Sequence, residues 1–203
     1  MVTDACARSR HRRQDMADQL YLTYWLQNYS EQAILRQYEK LLRLFPFSRL
    51  ATQPSTFKVL AVSYNEPPLA EVPYTPPVPI DALLGVGRDF QNADVCHRLE
   101  SWWDLWLFDK DWKLAPSRVT LSCFGPDFET DGGEHLGIEF GLDENFLPQP
   151  ELPNSLRMIQ SNIQSLLKLV HDLDDALPVE TRKLWSESGE NFSEKLQQAL
   201  MSG

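Results

Sequence analysis

The densest group of chemistry-bearing residues in this 203-residue chain is DFETDGGEH, residues 127–135. Asp127, Glu129, Asp131 and Gly132 reproduce the first half of a calcium loop, with carboxylates at positions 1, 3 and 5 and glycine at 6. The match then fails. Position 12, where a bidentate glutamate belongs, is Ile138, and Glu139 falls one residue late in a segment that reads as a strand. An EF-hand is therefore excluded. A looser site for a hard divalent cation such as calcium, built from Asp127, Glu129, Asp131 and Glu134, is the metal-binding alternative. The preferred reading is plainer: a solvated acidic hairpin tip. His135 and Glu139 are the candidate acid/base pair. They share one face of a strand but stand four residues apart, too far to touch without a bend, so an exposed strand-end histidine is preferred.

His171 has Asp174 and Asp175 three and four residues on, a spacing that brings side chains together on a helix. It reads as an exposed ion pair near a helix end. Gly85 and Gly87 form half of a phosphate-binding fingerprint, but they sit in a helical pattern and lack the third glycine. Cys6, Cys96 and Cys123 form no CxxC pair and read as small buried hydrophobes of a reducing compartment. No nucleophile elbow, phosphate-binding loop or zinc-protease motif is present. The set needed for catalysis is incomplete, and a non-enzymatic protein is the expectation.

LESWWDLWLF, residues 99–108, packs three tryptophans into five positions. As a strand it sets Leu99, Trp103, Leu105 and Leu107 on one face and Trp102, Trp106 and Phe108 on the other, with Glu100 and Asp104 interleaved. Two apolar faces imply a sheet covered on both sides, Trp102 and Trp106 under one helical layer and Trp103 under the other. The rival is an aromatic binding surface for a small ligand, for which Trp25, Trp102, Trp106 and Trp112 are the candidates.

The elements that must position these groups follow from periodicity. LYLTYWL (20–26) alternates as a strand; 31–45 carries a helical stripe of Ile34, Tyr38, Leu41, Leu42 and Phe45 ended by Pro46; TFKVLAVS (56–63) is a second strand. Six prolines between 67 and 79 allow only an edge strand around 69–74 and a stiff connector. A short helix follows from Pro79, then the tryptophan strand, and then RVTLSCF (118–124) and HLGIEFGL (135–142) as a hairpin with the acidic tip between them. A long helix begins after Asn154 with a stripe of Leu156, Ile159, Ile163, Leu166, Leu167, Val170, Leu173 and Leu177, and Pro178 ends it. Shorter helical pieces are expected at 179–187 and 193–201. The fold class is α+β: a ferredoxin-like β-α-β-β-α-β core extended by a β-hairpin, with the C-terminal helices packed on the sheet.

Composition bounds the function. Residues 1–15 hold Arg8, Arg10, Arg12 and Arg13 against Asp4 and Asp15 and read as a disordered basic arm; 16–203 form one domain. The net charge is −10, and the body without the arm is more acidic still. Such a body repels phosphate backbones and anionic lipid, so nucleic acid and membrane are not expected partners, and a basic protein is. No apolar run suits a membrane span or signal peptide, and the expected location is cytoplasmic. Small acidic bacterial immunity and antitoxin-like proteins share this character in composition only. The functional expectation is a protein-interaction domain, with a metal-assisted hydrolase on loop 127–139 as the alternative.

Overall fold

The structure is a computed structural model and describes residues 18–149, 151–189 and 191–201. The basic arm and Cys6 lie outside the described residues. Seven strands form one sheet: β1 (Gln19–Leu26), β2 (Ser55–Ala61), β3 (Ala70–Tyr74), β4 (Val95–Phe108), β5 (Trp112–Phe124), β6 (Leu136–Leu142) and β7 (Val179–Ser186). The helices are α1 (Ile34–Leu44), α2 (Ile80–Arg88), α3 (Ser155–Ala176) and α4 (Phe192–Met201). The spatial order is β3-β2-β4-β5-β6-β1-β7, and every neighbouring pair is antiparallel.

This pairing makes β1 and β2, β3 and β4, and β6 and β7 run in matching directions without touching. Strands of matching direction need a crossover, and α1, α2 and α3 supply the three crossovers. Antiparallel partners need only a loop, as in the β4–β5 and β5–β6 hairpins. The ferredoxin-like order expected from the element sequence is not found, because β1 lies between β6 and β7 and is separated from β4 by two strands. Element order alone leaves that choice open: the pairing depends on which strand edges meet across more than a hundred residues.

One face of the sheet carries the main core, and a smaller buried cluster of Leu60, Cys96, Phe124 and Phe128 lies apart from it. Leu20, Leu22 and Tyr24 of β1, Phe57 and Val59 of β2, Leu99, Trp103 and Leu105 of β4, and Leu121 and Cys123 of β5 are buried with Tyr38 and Leu41 of α1, Leu83 of α2, and Leu166 and Leu173 of α3. The Tyr38 hydroxyl donates to the Leu121 carbonyl at 3.0 Å, so α1 lies directly on β5. Gly87 lets α2 lie close to β4: a Cβ there would come 3.0 Å from Leu35 and 3.3 Å from the His97 ring. His97 itself is fully buried, with Nε2 3.3 Å from the Gly87 carbonyl oxygen.

α3 packs on this same face, so the expected sandwich is not built. Asn162 of α3 reaches the edge of β4, where its side chain accepts from Trp106 N at 2.9 Å and donates to Trp106 O at 2.9 Å, taking the place of a neighbouring strand. Trp103 is 1% exposed, against Phe45, Phe140 and Phe146. Trp102 and Trp106 point to the opposite face and remain partly exposed. That face carries a lattice of ion pairs, Lys58 with Glu71 and Glu100, Arg98 with Glu139, Arg118 with Glu100, in place of a second helical layer. The interleaved charges of β4 are the reason: Arg98 and Glu100 stay near water when one face is left open.

Residues 179–186, expected as a helix, form the edge strand β7 along β1. An edge strand solvated on both faces loses the apolar alternation by which strands are read, and VETRKLWS is such a case. The α3 stripe is also rotated from expectation. Leu169 is 2% exposed and Asn162 is buried, whereas Leu156 and Leu167 are 53% and 55% exposed. No described helix is long and apolar enough to cross a membrane.

Candidate functional site

The open face of the sheet is hollowed around β6. Register places Arg98 beside Ser122, Ser122 beside Gly137, Gly137 beside Thr23 and Thr23 beside Lys183, one row across five strands. Its middle three residues are small, and its ends are a guanidinium and an ammonium. The adjoining row runs Glu100, Thr120, Glu139, Tyr21, Trp185 and is bulky, so a depression forms between it and the loops beyond. The cavity measures about 560 Å³. Its walls are Tyr21 and Trp185 on one side, Trp25, Phe124 and Tyr64 on the other, and residues 129–134 above. The size is ordinary for a ligand site, which spans roughly 300–1,000 Å³.

Each wall is held in place. Tyr21 and Trp185 stack at 4.7 Å between centroids, and the Lys183 ammonium lies 5.0 Å over the Trp185 ring. Trp25 Nε1 donates to the Gly132 carbonyl at 3.0 Å, which ties the acidic loop to β1. The loop is also held below, where Asp127 N donates to Ala93 O at 2.8 Å and Glu129 N to Val62 O at 2.9 Å. Val62 has φ of +66°, a conformation that costs a β-branched residue energy, and its own N–H bonds to Asp94 O. Strain of this kind persists only where surrounding contacts impose it. It turns the chain so that Tyr64 folds over the cavity.

Arg98 stands at the centre of the electrostatics. Its guanidinium is 3.3 Å from Glu139 and lies 5.3 Å over the Tyr64 ring. Burial opposes its charge, but Glu139 and the other groups around it outweigh burial and keep its pKa above the ordinary value. Glu139 shows the reverse balance. Burial raises its pKa, and Arg98 opposes that without cancelling it. Beneath Tyr64, Ser122 is 2% exposed and its Oγ has no hydrogen-bond partner; the Tyr64 hydroxyl approaches without closing a bond. Burial raises the pKa of that hydroxyl well above the ordinary tyrosine value. No base is bonded to Ser122 Oγ, so the pairing that activates a serine nucleophile is missing.

The candidates from sequence divide. Glu129, Asp131, Glu134 and Glu139 all line the cavity with Trp25. Asp127 lies below the loop and is not part of the lining. Among the described residues no group of three or more His, Cys, Asp or Glu is arranged to hold a metal ion. His135 is half-buried rather than exposed. Its Nδ1 accepts from Leu26 N at 2.8 Å, its backbone N donates to Tyr24 O, and its ring stacks on Tyr29 at 4.1 Å. Burial lowers its pKa, and it serves as a rung of the β1–β6 junction. His135 and Glu139 share no hydrogen bond, and the pair is not assembled.

Trp102 belongs to a smaller hollow of about 160 Å³ with Phe47, Pro76 and Pro77, and donates to Pro54 O at 3.3 Å. Trp106 and Trp112 lie on the far end of the β4–β5 hairpin, where Trp112 donates to Pro153 O at 2.7 Å. The four candidate tryptophans therefore do not form one surface. Tyr64, Arg98, Ser122 and Gly137 were not visible as site residues. Only the alternation of Tyr21, Thr23 and Trp25 opposite the buried face of β1 pointed toward them. His171 and Asp175 form the expected exposed pair at 3.6 Å, and Cys96 and Cys123 are buried free thiols. No protein-family model, curated protein or solved structure matches the chain.

Proposed function

We propose that the protein is a non-enzymatic interaction domain that binds a partner protein on the open face of its sheet, in the manner of immunity, antitoxin-like or accessory proteins. The observation that carries this reading is the aromatic-walled cavity itself: Tyr21, Trp25, Tyr64 and Trp185 stand on a face where a solvated sheet would carry small polar side chains. Tyrosine, tryptophan and arginine are also the side chains that dominate binding energy at protein interfaces. The groups that could do chemistry are engaged elsewhere. His135 Nδ1 is taken by the backbone, Arg98 holds Glu139, and Ser122 has no base.

Co-purification of the tagged full chain from its own cells tests this, with three proteins side by side: wild type, Tyr21→Ala with Trp25→Ala, and Leu156→Ala with Leu167→Ala on the helical side. A stoichiometric partner held by wild type and by the helical-side variant, and lost from the sheet-face variant, is the expected result. Retention by the sheet-face variant at wild-type level overturns the reading.

A further inference from the structure

Resting on that reading, we infer that the cavity takes a cationic side chain, an arginine or lysine presented by a basic segment of the partner protein. The charge balance points this way. Four carboxylates line the site, Glu129, Asp131, Glu134 and Glu139, against two cations, Arg98 and Lys183. Both cations are already engaged, Arg98 by Glu139 and the Tyr64 ring, Lys183 by the Trp185 ring. Glu139 is spent on Arg98. Among the described residues, Glu129, Asp131 and Glu134 have no ion-pair partner, and they stand on the wall beside Trp25.

The acidic loop does not stand alone. The Ser122 hydroxyl, 2% exposed, lies on the floor of the same cavity beneath Tyr64 and closes no full hydrogen bond, so the site holds an unmet polar group. The walls are of matching chemistry, since cations are drawn to the faces of Trp and Tyr rings within about 6 Å. The site already uses two such contacts on its own cations. The Trp25 indole, fixed by its bond to Gly132, offers another ring beside the unpaired carboxylates. A guanidinium or ammonium entering between Trp25 and Glu134 would meet a ring face and carboxylate oxygens. Gly137 keeps the floor low enough for it: a Cβ there would come within 3.3 Å of the Phe124 ring. The chain's net charge of −10 would draw a basic segment toward the protein as a whole.

Isothermal titration of the full chain with an arginine- and lysine-bearing peptide tests this, compared with the same peptide carrying citrulline and norleucine in place of the cations. The peptide is expected to bind. Its affinity is expected to fall at least tenfold in Asp131→Asn with Glu134→Gln and in Trp25→Leu, and to hold within twofold in Asp172→Asn with Asp175→Asn, which removes equal charge from α3. Three results overturn the inference: equal binding of the uncharged peptide, equal weakening by the α3 variant, which would mean diffuse attraction only, or displacement of the peptide by a neutral oligosaccharide. Absence of peptide binding, while the native partner still depends on Tyr21 and Trp25, refutes the cationic ligand and leaves the sheet-face reading standing. A native partner indifferent to both residues refutes that reading instead.

Discussion

Truncating Trp103 to alanine should cost far more than truncating its neighbour Trp102, and truncating it to phenylalanine should cost little. Trp103 is 1% exposed and touches Phe45, Phe140 and Phe146, so removing the indole strips the centre of the core. An aromatic side chain buries about 150–250 Å². At about 25 cal/mol per Å² that is about 4–6 kcal/mol, and measured core truncations of this kind cost about 3–5 kcal/mol. One term works against the native indole. Its Nε1 is buried with no hydrogen-bond partner, a penalty of about 1–3 kcal/mol that disappears with the group. Trp103→Ala is therefore expected to cost about 3–4 kcal/mol. Trp103→Phe keeps most of the apolar contact and loses the orphan N–H, so it should stay within about 1.5 kcal/mol of wild type. Trp102 is partly exposed on the open face, its indole N–H bonded to Pro54 O at 3.3 Å, and Trp102→Ala should cost about 1–2 kcal/mol. Urea unfolding followed by circular dichroism measures all three. Equal losses for Trp102→Ala and Trp103→Ala would refute the one-sided core, and a Trp103→Phe loss as large as that of alanine would refute the account of the indole N–H.

Three further outcomes follow from buried groups and backbone. Burial lowers the His97 pKa from its ordinary value to about 4, opposed by the Gly87 carbonyl. The unfolded chain takes up this proton first as pH falls, so the stability His97 contributes is intact above pH 6.5 and is lost between 6.5 and 4. The loss is about 3 kcal/mol at 1.36 kcal/mol per unit, and denaturation across this range should show it in wild type and not in His97→Leu; parallel pH profiles would count against it. Asn162→Leu leaves the Trp106 N–H and two carbonyls, those of Trp106 and Asn145, without their partner, at about 2–4 kcal/mol. For a chain of this length that is a fall in Tm of roughly 4–16 °C, and an unchanged melt would contradict the role given to Asn162. Val62→Gly removes a left-handed β-branched residue that is 45% exposed, so its Tm should be equal to or above wild type, whereas Val59→Gly in buried β2 should lose several degrees; a clear loss for Val62→Gly speaks against the strain.

Local pattern carried most of the elements into view. The β1 alternation, the amphipathic α1, the proline-bearing edge strand β3 and the β5–β6 hairpin could all be read from residues close in sequence. What stayed hidden depends on pairing at long range. β7 carries no apolar alternation, and only its register with β1, Tyr21 against Trp185 and Thr23 against Lys183, makes it a strand. The tryptophan strand was legible as a strand and its two faces were assigned correctly, but the cover was not. Arg98, Glu100 and Asp104 were interleaved with Trp102 and Trp106 all along, and their charges mark that face as open. The candidate site was half legible for the same reason. Trp25 and the carboxylates of loop 129–134 stand out by type, whereas Arg98, Ser122, Gly137 and Tyr64 look ordinary until three strands and the loop after β2 bring them into one hollow.

The most direct measurement uses the tryptophans themselves. Fluorine NMR of the full chain labelled with 5-fluorotryptophan reports its six indoles, alone and with the co-purified partner at saturation. Trp25 and Trp185 are expected to shift while the buried Trp103 does not. Unmoved Trp25 and Trp185 beside shifted Trp106 and Trp112 would place the partner at the end of the β4–β5 hairpin and contradict binding at the aromatic-walled cavity.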